Sequence, residues 1–319
     1  MIRIKGTILC AGNLVLDILV RPVDEPRYGA TTWVETIEQH LGGNCSNASY
    51  ALALLGAPVR ALGAVGADEA GGRVLSWLAA AGVDLSAVHR SATSPTATSV
   101  VLVAAGGERC LLHQPGASDH AFSQPVEFTA ALLEGAGHFH LANPFALAGM
   151  RRGAAETLRR AKSAGLTTSM DAGWDPMGEW LEVLGPCLEH TGLLFVNQDE
   201  ARMLSGSPDP VEAGHRLRDR GVADVVVKLG AHGSAVFTAE GEIRSASFPV
   251  EAVDTTGAGD CYAAGFLAAL RRGAGPAEAA RFANAVGALS VRKLGSVEGL
   301  LGYEETLAWI AGHNPAADS

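Results

Sequence analysis

The sequence predicts an α/β fold, a doubly wound and mostly parallel sheet with helices on both faces, plus a small β-sheet lid. Short β-branched runs alternate with Ala- and Leu-rich stretches over most of the chain, which is typical of strand–helix units around a parallel sheet. Several predicted helices stop at a glycine, where a left-handed cap costs little. Two segments, 15–40 and 96–113, contain strand patterns with no helix after them.

The same patterns predict the bounds of the individual strands and helices. Strands of the main sheet are expected at 7–11, 59–65, 138–142, 167–171, 193–197 and 223–229. Helices are expected at 47–55, 72–81, 149–164, 199–204 and 211–220, with another after residue 260. The chain is predicted to be a single domain, 1–319, in which segments 15–40 and 96–113 form the inserted lid.

Composition narrows the function classes. The chain has 319 residues, 48% hydrophobic, and a formal net charge of −10, so it lacks the basic excess that a nucleic-acid binder needs. The apolar runs are interrupted by polar residues, which argues against a membrane partner. Five dispersed cysteines form no CxxC pair, and reduced thiols in the cytoplasm are expected.

The strongest motif is the run DTTGAGD at 254–260, which leads from an extended segment into an Ala-rich helix. Gly257 and Gly259 let the backbone approach a ligand closely. Amides at a helix N-terminus, here those of Gly257, Ala258 and Gly259, form an anion site. Asp260 in the first turn could accept a proton from an attacking hydroxyl. A glycine-rich loop before an acidic helix start also occurs without any such role.

A second cluster, LGGNCSNAS at 41–49, places a glycine pair before a helix. Gly42 and Gly43 would let the backbone and the Asn47 amide close on a polyhydroxylated ligand. Asn44 and Ser46 are interpreted as ordinary caps. Asn13 and Asp17 follow the first strand, and a carboxylate such as Asp17 can accept from two adjacent hydroxyls. The alternative for Asp17 is a solvated strand residue.

Two further motifs suit a nucleotide. Asn197 and Glu200 lie three residues apart at a strand end and helix start, so both can face one ligand. Lys228 precedes a turn that contains Gly230 and Gly233, and it could pair with a phosphate or reach solvent. The chain contains neither GxxxxGK[ST] nor a GxGxxG after its first strand, which disfavours P-loop enzymes and dinucleotide oxidoreductases.

Together these four motifs resemble the ribokinase-like (PfkB) carbohydrate kinase family from about Gly12 to about Gly295. The resemblance implies a ribokinase-like fold with a β lid, ATP and Mg²⁺ as cofactors, and Asp260 as the base beside a 257–259 anion hole. It implies a sugar site, formed by Asn13, Asp17, Gly42, Gly43, Asn47 and Asn143. It also implies a nucleotide site, formed by Asn197, Lys228, Gly230, Gly233 and Asn284, with Glu200 holding Mg²⁺ through water.

Many relatives also bind a monovalent cation such as K⁺, for which Asp254 and the Thr256 carbonyl are the matching positions, with carbonyls from residues 290–299. The family resemblance makes a homodimer through the lid an expectation.

Departures from the family pattern bear on the substrate. Kinases of sugar acids carry DxNxR where this chain has DAGWDP, and Asp175 in place of Arg would repel an anionic substrate. Arg27 and Arg109 in the lid keep a phosphosugar among the candidate substrates. The favoured hypothesis is transfer of the ATP γ-phosphoryl group to a primary hydroxyl of a neutral sugar such as a pentose or ketohexose. The alternatives are a nucleoside kinase, with Trp174 or Phe145 stacked on the base, and a catalytically silent sugar- or nucleotide-binding regulator.

Overall fold

The computed structural model describes residues 1–315 and contains a nine-stranded and a four-stranded sheet. The strands are β1 (Thr7–Ala11), β2 (Val15–Arg21), β3 (Thr36–Gly42), β4 (Val59–Gly66), β5 (Asp84–Ser91), β6 (Ala97–Val103), β7 (Arg109–Gln114), β8 (Ala136–Ala142), β9 (Thr167–Asp171), β10 (Leu193–Asn197), β11 (Asp224–Lys228), β12 (Ser234–Thr238) and β13 (Gly241–Ser245).

The helices separate most of these strands. They are α1 (Asn44–Leu54), α2 (Glu69–Ala80), α3 (Gly116–His120), α4 (Ala130–Leu133), α5 (Ala148–Ser163), α6 (Leu181–Leu188), α7 (Gln198–Ser205), α8 (Pro210–Asp219), α9 (Ala258–Arg271), α10 (Pro276–Ser290) and α11 (Tyr303–Gly312). Short 3₁₀ turns cover Pro144–Ala146 and Gly230–His232.

The large sheet has the order β13-β12-β11-β10-β9-β8-β1-β4-β5, and its strands from β11 to β5 run parallel. The hairpin β12–β13 adds two antiparallel strands at one edge. The predicted mostly parallel sheet is therefore confirmed. Strands β5 and β13 were not predicted, because 84–91 and 241–245 are only partly buried and lack a continuous apolar run; β12 was not predicted either, although it is buried.

Both faces of the large sheet are covered by helices. In β1, Ile8 and Cys10 point into one apolar cluster, whereas Leu9 and Ala11 point into another. The first cluster takes side chains from α1, α2, α9 and α10, and the second from α5, α6, α7 and α8. A strand buried on both faces carries apolar residues at consecutive positions, which explains the unbroken apolar strand runs in the sequence.

The small sheet has the order β3-β2-β6-β7 and is built from the two segments that lack helices. Strands β2 and β6 run parallel, and the two outer pairs are antiparallel. Register places Asp17 opposite both His40 and Ser99, so these three polar side chains share one face.

The carboxyl ends of the parallel strands lie at one edge of the large sheet. Asn13 follows β1 and Asn143 follows β8, while Asp171, Asn197 and Lys228 end β9, β10 and β11. In open α/β sheets ligands bind at this edge, so the fold gathers the predicted site residues there. Within residues 1–315, no helix is long and apolar enough to cross a membrane.

Candidate active site

The site is organised around the start of α9. Gly257 caps this helix with φ 71°, a left-handed conformation that favours glycine. A Cβ there would lie 2.7 Å from Ser296 Cβ and 2.9 Å from Asn47 Nδ2, so the position is also too crowded for a side chain. The helix begins at Ala258 and places Asp260 in its first turn, buried at 6% exposure.

Two amides hold the Asp260 carboxylate. Asn44 Nδ2 donates to Oδ1 at 2.9 Å, and Asn47 Nδ2 donates to Oδ2 at 2.9 Å. Both donors lie on α1, so this pair of hydrogen bonds joins α1 to α9. Asn47 was predicted at the site. Asn44 was interpreted as an ordinary cap, which is wrong: Gly43 caps α1, and the Asn44 side chain points to Asp260.

Opposing forces set the protonation of Asp260. Burial, with the nearby charge of Asp171, raises the pKa of Asp260 to about 6, while the two amide hydrogen bonds and the charge of Lys228 act to lower it. Above pH 6 the carboxylate is therefore mostly ionised, as an acceptor of a proton must be.

Two of the predicted sugar-binding residues are joined to Asp260 by hydrogen bonds, Asn47 directly and Asn13 through Asn44. Asp17 on β2 is buried, and burial raises the pKa of Asp17 to about 6. The Asp17 carboxylate packs directly against the backbone of Gly42 on β3. A Cβ on Gly42 would lie 2.2 Å from Asp17 Oδ2, so only glycine leaves room for it. Asn13 Oδ1 accepts from the Asn44 N–H at 2.9 Å, and Gly43 packs against the Asn13 carbonyl. The structure thus brings these residues together around the N-terminus of α1.

Asn143 lies on the other side of Asn44. It adopts a left-handed conformation with φ 52° after β8, and its Nδ2 donates to Asn44 Oδ1 at 3.1 Å. Gly173 leaves room for this amide, since a Cβ there would lie 2.3 Å from Asn143 Cγ. Asn143 therefore supports the donor that holds Asp260, and it also lines the adjoining cleft.

A cleft of about 730 Å³ opens from Asp260 toward the predicted nucleotide residues. Asn197 and Glu200 form a reciprocal capping box at the start of α7, with 2.8 Å from the Asn197 N–H to Glu200 Oε2 and from the Glu200 N–H to Asn197 Oδ1. Burial raises the pKa of Glu200, and the charge of Asp171 raises it further, whereas Lys228 lowers it.

Lys228 sits at the centre of the carboxylates in this cleft. Its Nζ lies 2.7 Å from Asp171 Oδ2 and 2.9 Å from Oδ1, in a largely buried ion pair. The charges of Asp171 and Glu200 raise the pKa of Lys228 against the effect of burial, so the ammonium stays charged. Nζ also lies 3.0 Å from the place that a Cβ on Gly259 would take. Asp171 was not predicted as a site residue.

The remaining nucleotide residues line the same cleft. Gly230 has φ 59° and open space around it, whereas Gly233 has φ 89° and packs against the Ser245 carbonyl. Asn284 on α10 donates to the Ser245 and Ala246 carbonyls at 2.9 and 3.2 Å. Its amide nitrogen therefore fixes the segment that follows β13, and a contact of Asn284 with a base stays a prediction.

Asp254 and Thr256 lie just before the α9 start and face the small sheet. Asp254 Oδ1 accepts from the Thr256 N–H at 2.9 Å and pairs with Arg109 Nη1 at 2.7 Å. Asp254 Oδ2 accepts from the Gly295 N–H at 3.0 Å. The Asp254 carboxylate, one of the positions expected to bind a monovalent cation, is therefore paired with Arg109.

Two sequence interpretations of substrate contacts are wrong. Asp175 does not face a substrate: it is fully buried, pairs with Arg151, and accepts from the Trp180 N–H at 2.8 Å. It therefore gives no argument against anionic substrates. Phe145 is 4% exposed and packs on Trp180, so it cannot stack on a base. Arg27 is exposed and pairs with Glu25 at 3.4 Å, and its contact with a phosphosugar stays a prediction.

The fold and this site define a class of protein, an ATP-dependent kinase of small hydroxylated molecules. The profile of the pfkB family carbohydrate kinases matches residues 7–301, so the chain belongs to that family.

Similarity extends over nearly the whole chain. It is 33% identical to the ATP-dependent ribose-1-phosphate kinase of Halopiger xanaduensis, over 91% of this chain and 93% of that protein. The ribokinase of Arabidopsis thaliana, solved with ribose and ATP, superposes with TM-score 0.86 at 26% identity, over 96% of this chain and 99% of that one. An E. coli protein solved with ATP and Mg²⁺ superposes with TM-score 0.86 at 25% identity, over 97% and 100%.

The hydrogen bonds to Asp260 give a testable pKa. We expect Asn44→Ala to raise the pKa of Asp260 further above about 6, because the variant removes a donor to the charged form. The carbon-13 shift of the Asp260 carboxyl, followed against pH, measures this. Asn143→Ala is the matched control, since it removes no hydrogen bond to Asp260, and a larger shift in the control would contradict the assignment.

Proposed function

We propose that this kinase transfers the γ-phosphoryl group of ATP to a primary hydroxyl of a neutral sugar such as a pentose or ketohexose. One observation carries the proposal: the buried Asp260 carboxylate lines the cleft that contains Asn197, Glu200 and Lys228, and on its other side it is hydrogen-bonded to Asn47 of the predicted sugar site. A hydroxyl and a phosphoryl group bound on these two sides would meet at Asp260.

Asp260 is the proposed base. Its two oxygens are oriented by Asn44 and Asn47, which donate and leave further acceptor positions on the carboxylate. With a pKa of about 6, Asp260 accepts the hydroxyl proton as the oxygen attacks the phosphorus and the bond to the ADP oxygen breaks. The proton then leaves to solvent when the products depart.

The anion hole would be the first turn of α9. The amides of Gly257, Ala258 and Gly259 stand where the helix dipole favours negative charge. The Ala258 N–H has only a long 3.3 Å bond to the Thr255 carbonyl. Lys228, whose ammonium packs against Gly259, adds positive charge at the same place. Preorganised donors of this kind stabilise the charge of the transition state.

The sugar would be held by Asp17 and Asn47 side chains and by the backbone at Gly42 and Gly43. A buried carboxylate with a pKa near 6 needs hydrogen-bond donors, and adjacent sugar hydroxyls supply them. Asn13 and Asn143 would support the sugar from either side of Asn44.

ATP would occupy the large cleft, with Asn197, Gly230, Gly233 and Asn284 along its wall. Mg²⁺ fits Glu200: this carboxylate is buried beside Asp171 and Asp260, and a single ammonium, that of Lys228, pairs among them. Glu200 would hold the ion through a water molecule. The ion supplies charge that neutralises the phosphate oxygens.

A monovalent cation at Asp254 and the Thr256 carbonyl fits less well. Asp254 Oδ1 already pairs with Arg109, and Oδ2 accepts from the Gly295 N–H. K⁺ is therefore left out of the proposed mechanism.

The charges near the sugar residues favour a neutral acceptor. Arg109 is paired with Asp254, and His40 is paired with Glu298 at 2.8 Å, so a substrate phosphate would have to compete with carboxylates for both. The resemblance to a ribose-1-phosphate kinase keeps phosphosugars in the substrate panel as a test of this argument.

Loss of the base gives the central test. In a coupled ADP-release assay with Mg·ATP and a panel of pentoses, hexoses, nucleosides, sugar acids and sugar phosphates, we expect one strong neutral-sugar substrate. Asp260→Asn should lower its kcat by about 10²–10⁴. The wild-type rate should fall as pH drops through about 6, because Asp260 becomes protonated.

Two results would contradict this mechanism. ATP and sugar binding without ADP formation, unchanged in Asp260→Asn, would favour a silent regulator. A nearly unaffected kcat in that variant would remove Asp260 as the base.

Trp174 supports a nucleoside as the second candidate acceptor. Its ring is 53% exposed, lines the cleft near Asn143, and is held edge-on against Trp180 at 5.0 Å. An exposed aromatic face that is fixed from behind can stack on a base.

If the acceptor is a nucleoside, Trp174→Ala should lower kcat/KM for adenosine by up to about tenfold, the equivalent of an aromatic pair of about 0.5–1.5 kcal/mol. Turnover of ribose should change little. Trp33→Ala, an exposed tryptophan in the loop between β2 and β3, is the control. Equal losses for both acceptors would exclude stacking on a base.

A homodimer through the lid is proposed on the apolar outer face of the small sheet. Register aligns Ile37, Val20, Leu102 and Cys110 in one row across its four strands, with Leu112 next on the same face. Ile37 is 66% and Leu112 58% exposed. Exposed apolar patches of this kind mark association surfaces. The cytoplasm is the proposed location, because all five cysteines are free.

Light scattering tests the dimer. We expect the mass of two chains for the wild type and of one chain for Leu112→Glu, since a charge in the apolar patch opposes its burial. Leu307→Glu on α11, also exposed, should leave the mass unchanged. A monomeric wild type at micromolar concentration would rule out the dimer.

A further inference from the structure

Arg109 joins the tip of the small sheet to the segment before the anion hole. It is the first residue of β7, and its Nη1 lies 2.7 Å from Asp254 Oδ1 and donates to Thr256 Oγ1. Its Nη2 donates to Thr255 Oγ1 at 3.1 Å. One guanidinium therefore holds three consecutive residues that lead directly into Gly257.

Asp254 needs a countercharge. Its carboxylate is buried, and a buried charge is costly unless it is paired and hydrogen-bonded. The N–H groups of Thr256 and Gly295 supply hydrogen bonds, but neither carries a full charge. Of the basic side chains within residues 1–315, Arg109 is the one that forms an ion pair with Asp254.

An unpaired Asp254 would work against the reaction. It lies three residues before Gly257, and negative charge develops on the phosphoryl oxygens at the anion hole. A charge of like sign near that position would raise the energy of the developing charge. Pairing with Arg109 removes that repulsion.

The residues expected to bind a monovalent cation do not fit one in this arrangement. The guanidinium covers Asp254 Oδ1, and the Val291 carbonyl accepts from the N–H groups of Val253 and Asp254 at 2.8 and 3.2 Å. An ion at this position would lie against a fixed positive charge, and the Asp254 carboxylate that would bind it is already neutralised.

We propose that Arg109 supplies, as part of the lid, the positive charge that a monovalent cation would otherwise supply beside the anion hole, so that this kinase acts without K⁺. Arg109 is then a positioning residue, which acts through Asp254 and the 254–257 segment. Because Arg109 stands on the small sheet, the charge is in place only when that sheet is closed on the site. The catalytic part of this inference rests on the proposed function.

The first test does not use activity. Melting temperatures are compared in KCl and in tetramethylammonium chloride at about 0.1 M, a concentration that gives both salts a Debye length of about 10 Å. We expect equal values for the wild type, because Arg109 fills the site. Arg109→Gln should melt at a higher temperature in KCl than in tetramethylammonium chloride, because an ion that binds only the folded state stabilises it.

The matched control is Arg27→Gln. It removes the same charge from the same lid, but among the described residues Arg27 pairs only with the nearby exposed Glu25 and not with Asp254. Its melting temperature, like that of the wild type, should be the same in KCl and in tetramethylammonium chloride. Arg109→Lys keeps a charge at the position and should also show no gain from KCl.

Turnover on the substrate found above is the second readout. The wild-type kcat should be the same in both salts. In tetramethylammonium chloride, Arg109→Gln should lose about 10² in kcat, as when a donor is removed from an anion hole. KCl should restore most of this loss, with little effect on KM for the sugar.

Three results would overturn the proposal. A wild-type enzyme that requires K⁺ would show that Arg109 does not replace the ion. An Arg109→Gln variant whose melting temperature is the same in both salts would show that no cation site is opened. A variant that loses only affinity for a sugar phosphate would make Arg109 a substrate-binding residue. Failure of the substrate panel alone would contradict the proposed function and leave the melting comparison intact.

Discussion

The site depends on keeping an ionised carboxylate inside the protein. Asp260 is buried where ionisation is costly, and the cost is offset by Asn44, Asn47, the N-terminus of α9 and Lys228. These groups come from α1, α9 and β11, so their interactions with one carboxylate fix the relative positions of these three elements. Asn143, which follows β8, is joined to the same group of interactions, because it orients the Asn44 amide.

The two sheets contribute different residues to the site. The large sheet is buried on both faces, and its carboxyl edge carries the polar side chains that meet the cleft. The small sheet contributes Asp17 from its inner face and Arg109 from its tip. The large sheet thus carries the residues that line the cleft, and the small sheet adds a carboxylate and a guanidinium to the site from a separate layer.

Sequence patterns predicted the main strands, most of the surrounding helices and both parts of the small sheet, because burial on two faces leaves long apolar runs. They also located Asp260, Asn47 and Glu200, which sit at strand or helix ends. They missed Asn44, whose local context is that of a cap, and Asp171, whose partner Lys228 is 57 residues away. Asp175 was misassigned for the same reason: the Arg151 that neutralises it lies on α5, and one sequence does not reveal such pairing.

The ion pair between Asp171 and Lys228 has a consequence for ligand discrimination. Lys228 stands among Asp171, Glu200 and Asp260, so the lining of the cleft within residues 1–315 contains more carboxylates than ammonium groups. A bare nucleotide polyphosphate would bring further negative charge into this surplus and be repelled. A nucleotide with a bound divalent cation carries less net negative charge and would be repelled less. This charge balance would favour a nucleotide complexed with a divalent ion over the free nucleotide, before any shape of the base is recognised.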